Sequence, residues 1–106
     1  MGRKDVESVL RRGLRTERGP MRLYWRTVSG DLPSTFSLSI KSGSLKRAVD
    51  RNRWKRIVRE AVRSSGYLRS RGFEAVFILT RSPDIELSFD EWEPVVVALL
   101  HTAGAC

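Results

Sequence analysis

Apolar residues recur along this chain with two different periods, and each switch of period marks the edge of an element. Val6, Val9 and Leu10 stand at i, i+3 and i+4 ahead of Gly13, the spacing of a short amphipathic helix. Asp5 is its expected N-cap, and Arg11 and Arg12 suit its C-terminal end. Leu14 to Pro20, LRTERGP, closes on Gly19-Pro20 and reads as a turn. From Met21 to Val28 the period drops to two. Met21, Leu23, Trp25 and Thr27 share one face of a strand, and Arg22, Tyr24, Arg26 and Val28 the other. After the SGDLP turn a second strand, Thr35 to Lys41, sends Phe36, Leu38 and Ile40 to the core and the small Ser37 and Ser39 outward.

The helical period returns in LKRAVDRNRWKRIVREAVR, Leu45 to Arg63. At about 100° per residue, Trp54, Ile57, Val58 and Ala61 fall in one arc, while Asn52, Lys55, Arg56, Arg59 and Arg63 cluster opposite. Leu45, Ala48 and Val49 do not extend the apolar arc. The regular helix is therefore expected from about Asp50 to Ser65, with Val49 in the lead-in and turned back to the core, and with Gly66 as C-cap. YLRSRGF is the linker that follows. Phe73 to Arg81 is apolar on both faces, the pattern of a central strand covered on both sides, and Ser82-Pro83 ends it. A last helix is signalled by the capping-box spacing of Ser88 and Glu91 and the staple spacing of Leu87 and Trp92. Pro94 leaves two options: a kink there, or a helix that begins there.

Charge changes the picture at one place above all. Eight cations, Lys46, Arg47, Arg51, Arg53, Lys55, Arg56, Arg59 and Arg63, face only Asp50 and Glu60 in the basic stretch, which supplies most of the chain's net charge of +8. A solvated helix face usually intersperses acids that form i,i+4 pairs. Here the acids lie off the centre of the stripe, so its cations repel one another unless a polyanion completes them. Arg22 and Arg26 flank Tyr24 on one strand face, a set that can meet phosphates and stack on a base, and Ser39 leaves room for a groove floor beside it.

The 106 residues suit one RNA-binding domain, 1–106, with an ordinary apolar fraction. No apolar run approaches the roughly 20 residues of a membrane span, and no apolar signal segment opens the chain, so the expected location is cytoplasmic. The cationic helix has too narrow an apolar face for membrane-surface binding, and strands, not a scaffold helix, precede it, against a DNA-reading helix. The chain carries no convincing catalytic set. His101 is the one histidine, the one cysteine, Cys106, allows neither an internal disulfide nor a cysteine-based zinc site, and Asp84, Glu86, Asp90, Glu91 and Glu93 suit a turn and a helix start. No catalytic residue and no metal ligand is assigned.

The pattern AVxRNRxKRxxRE, from Ala48-Val49 through Arg51-Asn52-Arg53 and Lys55-Arg56 to Arg59-Glu60, resembles the protein component of bacterial ribonuclease P. The likeness runs along nearly the whole chain: Val6 to Gly13, Leu23-Tyr24, Leu38-Ser39-Ile40 and Leu87 to Glu91 also match. The resemblance implies an α+β single-domain two-layer sandwich of αβββαβα order, its mixed sheet joined by a left-handed crossover (ribosomal protein S5 domain 2-like). It implies a 1:1 subunit that binds the catalytic RNA and the 5′ leader of precursor tRNA, while the RNA, with Mg²⁺ held mainly by RNA and substrate, cuts at the mature 5′ end. Carried over by position, Arg51, Asn52, Arg53, Lys55, Arg56 and Arg59 would contact the catalytic RNA, joined by Lys46, Arg47 and Arg63 of the same run. Val6, Leu10 and Tyr24 would line the leader cleft, with Arg22, Arg26 and Ser39 beside them. Where the family carries aromatic residues in its first helix this chain has Val6 and Leu10, and Ser42-Gly43 replaces a basic pair, so it reads as a divergent member. A ribosomal-protein-like RNA binder without a processing role is the main alternative.

Overall fold

The computed structural model describes residues 3–28 and 31–105, with side chains from Val6 onward; Ser29 and Gly30 of the expected SGDLP turn, and Cys106, lie outside them. The elements are α1 Arg3–Arg12, β1 Leu14–Arg18, β2 Met21–Thr27, β3 Thr35–Ile40, α2 Ala48–Ser65, a 3₁₀ turn Tyr67–Arg69, β4 Phe73–Leu79 and α3 Phe89–Thr102. They form one α+β domain of αβββαβα order around a mixed four-stranded sheet, β1-β2-β4-β3.

Leu14–Arg18 is a strand, where the residue pattern reads as a turn. It pairs antiparallel with β2, from Leu14↔Trp25 to Arg18↔Met21, and only Gly19-Pro20 turns. Gly19 takes φ +58°, the sign that the first position of a type II′ hairpin loop requires. The strand escapes period-two detection because it is an edge with both faces largely exposed, so no apolar alternation is needed. β4 lies between β2, antiparallel, and β3, parallel, and is the covered central strand that its composition predicts.

On one sheet face the core joins Trp54, Val58, Ala61 and Val62 of α2 and Trp92, Val96, Leu99 and Leu100 of α3 to Met21, Leu23, Ala75, Phe77 and Leu79. Trp54 and Trp92 meet edge to face, their ring centroids 6.1 Å apart. The Trp92 Nε1–H donates to the Glu86 carbonyl at 3.0 Å, while the buried Trp54 Nε1–H has no acceptor among the described residues. The α3 helix starts at Phe89, with the Ser88 hydroxyl accepting from the Glu91 amide, and Pro94 sits inside it.

Two lead-in expectations fail for the same reason. Both helices begin earlier than the residue pattern suggests: Asp5, the expected N-cap, lies inside α1, and α2 starts at Ala48 rather than Asp50. That early start carries Val49 onto the side of Asn52, Arg53 and Arg56, where it is 58% exposed instead of turned to the core. Gly66 is the left-handed C-cap, φ +88°.

The opposite sheet face is covered by α1, which packs on β2 and β4 and brings the fully buried Val9 to the same face as the fully buried Val76. At the end of α1 the chain runs so close to β2 that a Cβ at Gly13 would sit 2.6 Å from the Trp25 carbonyl oxygen, as well as 2.5 Å from the carbonyl oxygen of Val9 in its own helix.

The linker supplies a core residue of its own. Tyr67 is fully buried, and its hydroxyl donates to the Thr35 carbonyl at 2.6 Å, tying the 3₁₀ turn to the start of β3. Burial raises its pKa above the ordinary 10.0. A folded-state pKa raised in this way contributes stability that is complete below the unfolded value and is lost as pH climbs above it. Thermal unfolding should therefore turn steeply pH-dependent above about pH 10. Tyr67→Phe should flatten that dependence and cost about 1 kcal/mol at neutral pH. An alkaline limb identical in both proteins would contradict this.

Candidate nucleic-acid interface

The turn that leads into α2 is fastened before the helix begins. Ser44 is buried, its hydroxyl reaches the Leu79 carbonyl at 3.5 Å, and its own carbonyl accepts from the Ser82 hydroxyl at 3.0 Å. Arg51 reaches back from the helix, its Nη1 donating to the carbonyls of Leu45 (3.0 Å) and Lys46 (2.8 Å). Half-buried, Arg51 thus spends part of its guanidinium positioning Lys46 and Arg47, which are exposed. Arg47 stands at the N-cap without capping the helix, and Asp50 lies 3.8 Å away as a partial counter-charge. The free amides of that helix end add to the positive field there.

Along α2, Asn52, Arg53, Arg56, Arg59 and Arg63 are exposed and Lys55 is half-buried. Asn52, Lys55, Arg56, Arg59, Glu60 and Arg63 line a shallow groove of about 460 Å³. A second, of about 580 Å³, runs beside Arg47, Val49, Asp50, Asn52, Arg53 and Arg56. Among the described residues, none of Arg53, Lys55, Arg56, Arg59 and Arg63 makes an ion pair, although Glu60 shares the first groove. The face is therefore a column of uncompensated cations held rigid by the Trp54 and Val58 side of the same helix. Such a column repels itself and attracts a regularly charged polyanion. Val49 adds an apolar spot that residue patterning had assigned to the core. The early helix start, the only signal for it, is not legible from a basic lead-in.

The outer sheet face is arranged differently. Across β1, β2, β4 and β3 one row reads Glu17, Arg22, Ile78, Ser39, the next Arg15, Tyr24, Val76, Ser37, and a third sets Arg26, Glu74 and Thr35 side by side. Ser39 is thus not beside Tyr24: β4 intervenes, and Ile78 separates Ser39 from Arg22. Val6 is half-buried and Leu10 is 40% exposed on α1, which packs on β2 and β4, so the hydroxyl-lined β3 side stays open as a step. Arg22 Nε donates to Glu17 Oε1 at 2.6 Å and its Nη1 to the Tyr24 hydroxyl at 3.1 Å, with the guanidinium carbon 5.9 Å from the ring centroid. Arg26 Nε donates to Glu74 Oε1 at 2.5 Å. Burial pushes the Tyr24 pKa up, but the guanidinium groups of Arg22 and Arg15 outweigh it and hold the hydroxyl below the ordinary tyrosine value.

No three of the described His, Cys, Asp and Glu side chains come together as a metal cluster, and none of the described helices is long and apolar enough to cross a membrane. A family model described as Ribonuclease P matches residues 2–104. The fold is similar to that of the Staphylococcus aureus RNase P protein, at 18% identity over 99% of this chain and 94% of that one, with a TM-score of 0.81. It is also similar to the RNase P protein of Thermotoga maritima, at 24% identity over 94% and 92% of the two chains, TM-score 0.74. No curated protein sequence matches.

Proposed function

This chain belongs to the ribonuclease P protein family, and on that premise we propose that it binds the catalytic RNA through the basic face of α2 and the 5′ leader of precursor tRNA along the outer sheet face beside α1. The observation that carries this reading is the column Arg53, Lys55, Arg56, Arg59 and Arg63, exposed or half-exposed and without an ion-pair partner among the described residues. RNA phosphates complete it. One protein per RNA suffices, because a single helix face presents the column.

The protein acts by charge and position. Cations on α2 neutralise phosphates that would otherwise keep the catalytic RNA and its anionic substrate apart, so less magnesium is needed. The magnesium that supports cleavage is held mainly by the RNA and the substrate, and the RNA supplies the endonucleolytic chemistry. The outer sheet face around α1, with Tyr24 on the β2 side and Ser37 and Ser39 on the β3 side, accepts the single-stranded leader, which mature tRNA lacks.

Two measurements test this. Added to a bacterial ribonuclease P RNA at low magnesium, the protein should restore 5′ cleavage of precursor tRNA; RNA binding without restored cleavage would favour a binder with no processing role. Within the assembled complex, Tyr24→Ala should raise KM for precursor about tenfold, the scale of one base-stacking interaction, and leave affinity for mature tRNA alone. Equal losses for both RNAs would remove the leader role.

A further inference from the structure

The two RNA-facing surfaces differ in net charge, and the difference bears on how the leader is read. On α2 the column Arg53, Lys55, Arg56, Arg59 and Arg63 has no carboxylate partner among the described residues. On the sheet face two of the three arginines that surround Tyr24 already hold a carboxylate, Arg22 with Glu17 at 2.6 Å and Arg26 with Glu74 at 2.5 Å. Glu17 stands directly across the β1/β2 pair from Arg22, and Glu74 directly across β2/β4 from Arg26, so backbone register fixes both pairs. Arg15, opposite Tyr24, has no carboxylate partner among the described residues.

We infer that Glu17 and Glu74 are specificity-determining residues that neutralise the sheet face, so that it takes a single-stranded leader by its bases and sugars with no more than one phosphate, and discriminates precursor from mature tRNA with only a shallow dependence on salt. The inference rests on the leader reading above. Its physical basis is that a phosphate drawn to Arg22 or Arg26 would meet the adjoining carboxylate as well as the guanidinium. Each pair is neutral whichever oxygen the guanidinium faces, so few counterions are released when the leader docks. What remains to hold the leader is the Tyr24 ring, kept in place by Arg22, the hydroxyls of Ser37 and Ser39, and the apolar side chain of Ile78 between them. These suit bases and ribose better than a backbone of charges.

The test measures binding of precursor and of mature tRNA to the complex of the full chain with a bacterial ribonuclease P RNA. Magnesium is fixed, monovalent salt is varied, protein is saturating, and the same ratio for the RNA alone is subtracted. The protein-dependent precursor-to-mature affinity ratio should fall by less than about one log unit per decade of salt, against roughly two if all three arginines took phosphates at ~0.7 each. Glu17→Gln should release Arg22, tighten precursor binding at low salt and steepen the slope by about 0.7. A wild-type slope steeper than about one, or no change in slope with Glu17→Gln, would overturn the inference while leaving the leader reading intact. A protein-dependent ratio of one at every salt concentration would remove the leader reading, and the inference with it.

Discussion

Replacing Arg53, Arg56 and Arg59 together by alanine is expected to weaken binding to a bacterial ribonuclease P RNA by about a hundredfold at moderate salt, at roughly 1 kcal/mol for each arginine–phosphate interaction removed. The salt dependence of assembly should become shallower by about two to three log units per decade. The same variant should unfold at the same temperature as the parent or slightly higher. All three side chains are exposed, none is paired with a carboxylate among the described residues, and removing them relieves repulsion along α2. The pairing of weakened affinity with undiminished stability is what distinguishes a binding face from a structural one. A large drop in stability would show that the column serves the fold, and an unchanged salt slope would show that these arginines meet no phosphates. Arg51 is left out of this set deliberately: its hydrogen bonds to the Leu45 and Lys46 carbonyls mean that its loss would also loosen the entry to α2.

The second large effect is expected from a single methyl group. Gly13→Ala would place a carbon 2.5 Å from one backbone oxygen and 2.6 Å from another, and backbone cannot swing aside as a side chain can. The Gly13 amide also donates to the Val9 carbonyl at 2.8 Å, holding the end of α1 in register. The expected cost is about 3 kcal/mol, at the upper end of overpacking effects. It should be expressed locally, because α1 covers only the Val9 and Val76 side of the sheet, while α2 and α3 keep the main core. Denaturant unfolding should show the loss. In a complex formed below the new midpoint, RNA assembly should survive while precursor loses its advantage over mature tRNA. If both survive unchanged, α1 is not a wall of the leader site.

Much of this architecture is legible in the residues because it is dictated locally. The arc of Trp54, Val58 and Ala61 opposite Arg56, Arg59 and Arg63 follows from helical geometry alone, so the basic face could be located without coordinates. Gly66 as C-cap, Ser88 as N-cap and a doubly covered strand from Phe73 are equally local statements, and each holds, though the strand ends at Leu79 rather than Arg81. Leu14–Arg18 was not legible, since an exposed edge strand has no apolar period to read. Tyr67 was hidden for a related reason: a short linker has no period, and its burial depends on where β3 passes.

The sheet face shows the boundary most plainly. Arg22, Tyr24, Arg26 and Ser39 are all outward-facing by alternation, and to that extent the sequence determined them by itself. That Arg22 is tied to Glu17 was decided when Leu14–Arg18 paired with β2, and that Arg26 is tied to Glu74 and Ile78 stands between Arg22 and Ser39 was decided only when β4 inserted between β2 and β3. Periodicity reports which way a side chain points along its own element, because that is set by backbone geometry over a few residues. Which neighbour it meets is set by strand order and register, which depend on closing loops tens of residues long and on burying both faces of β4 at once.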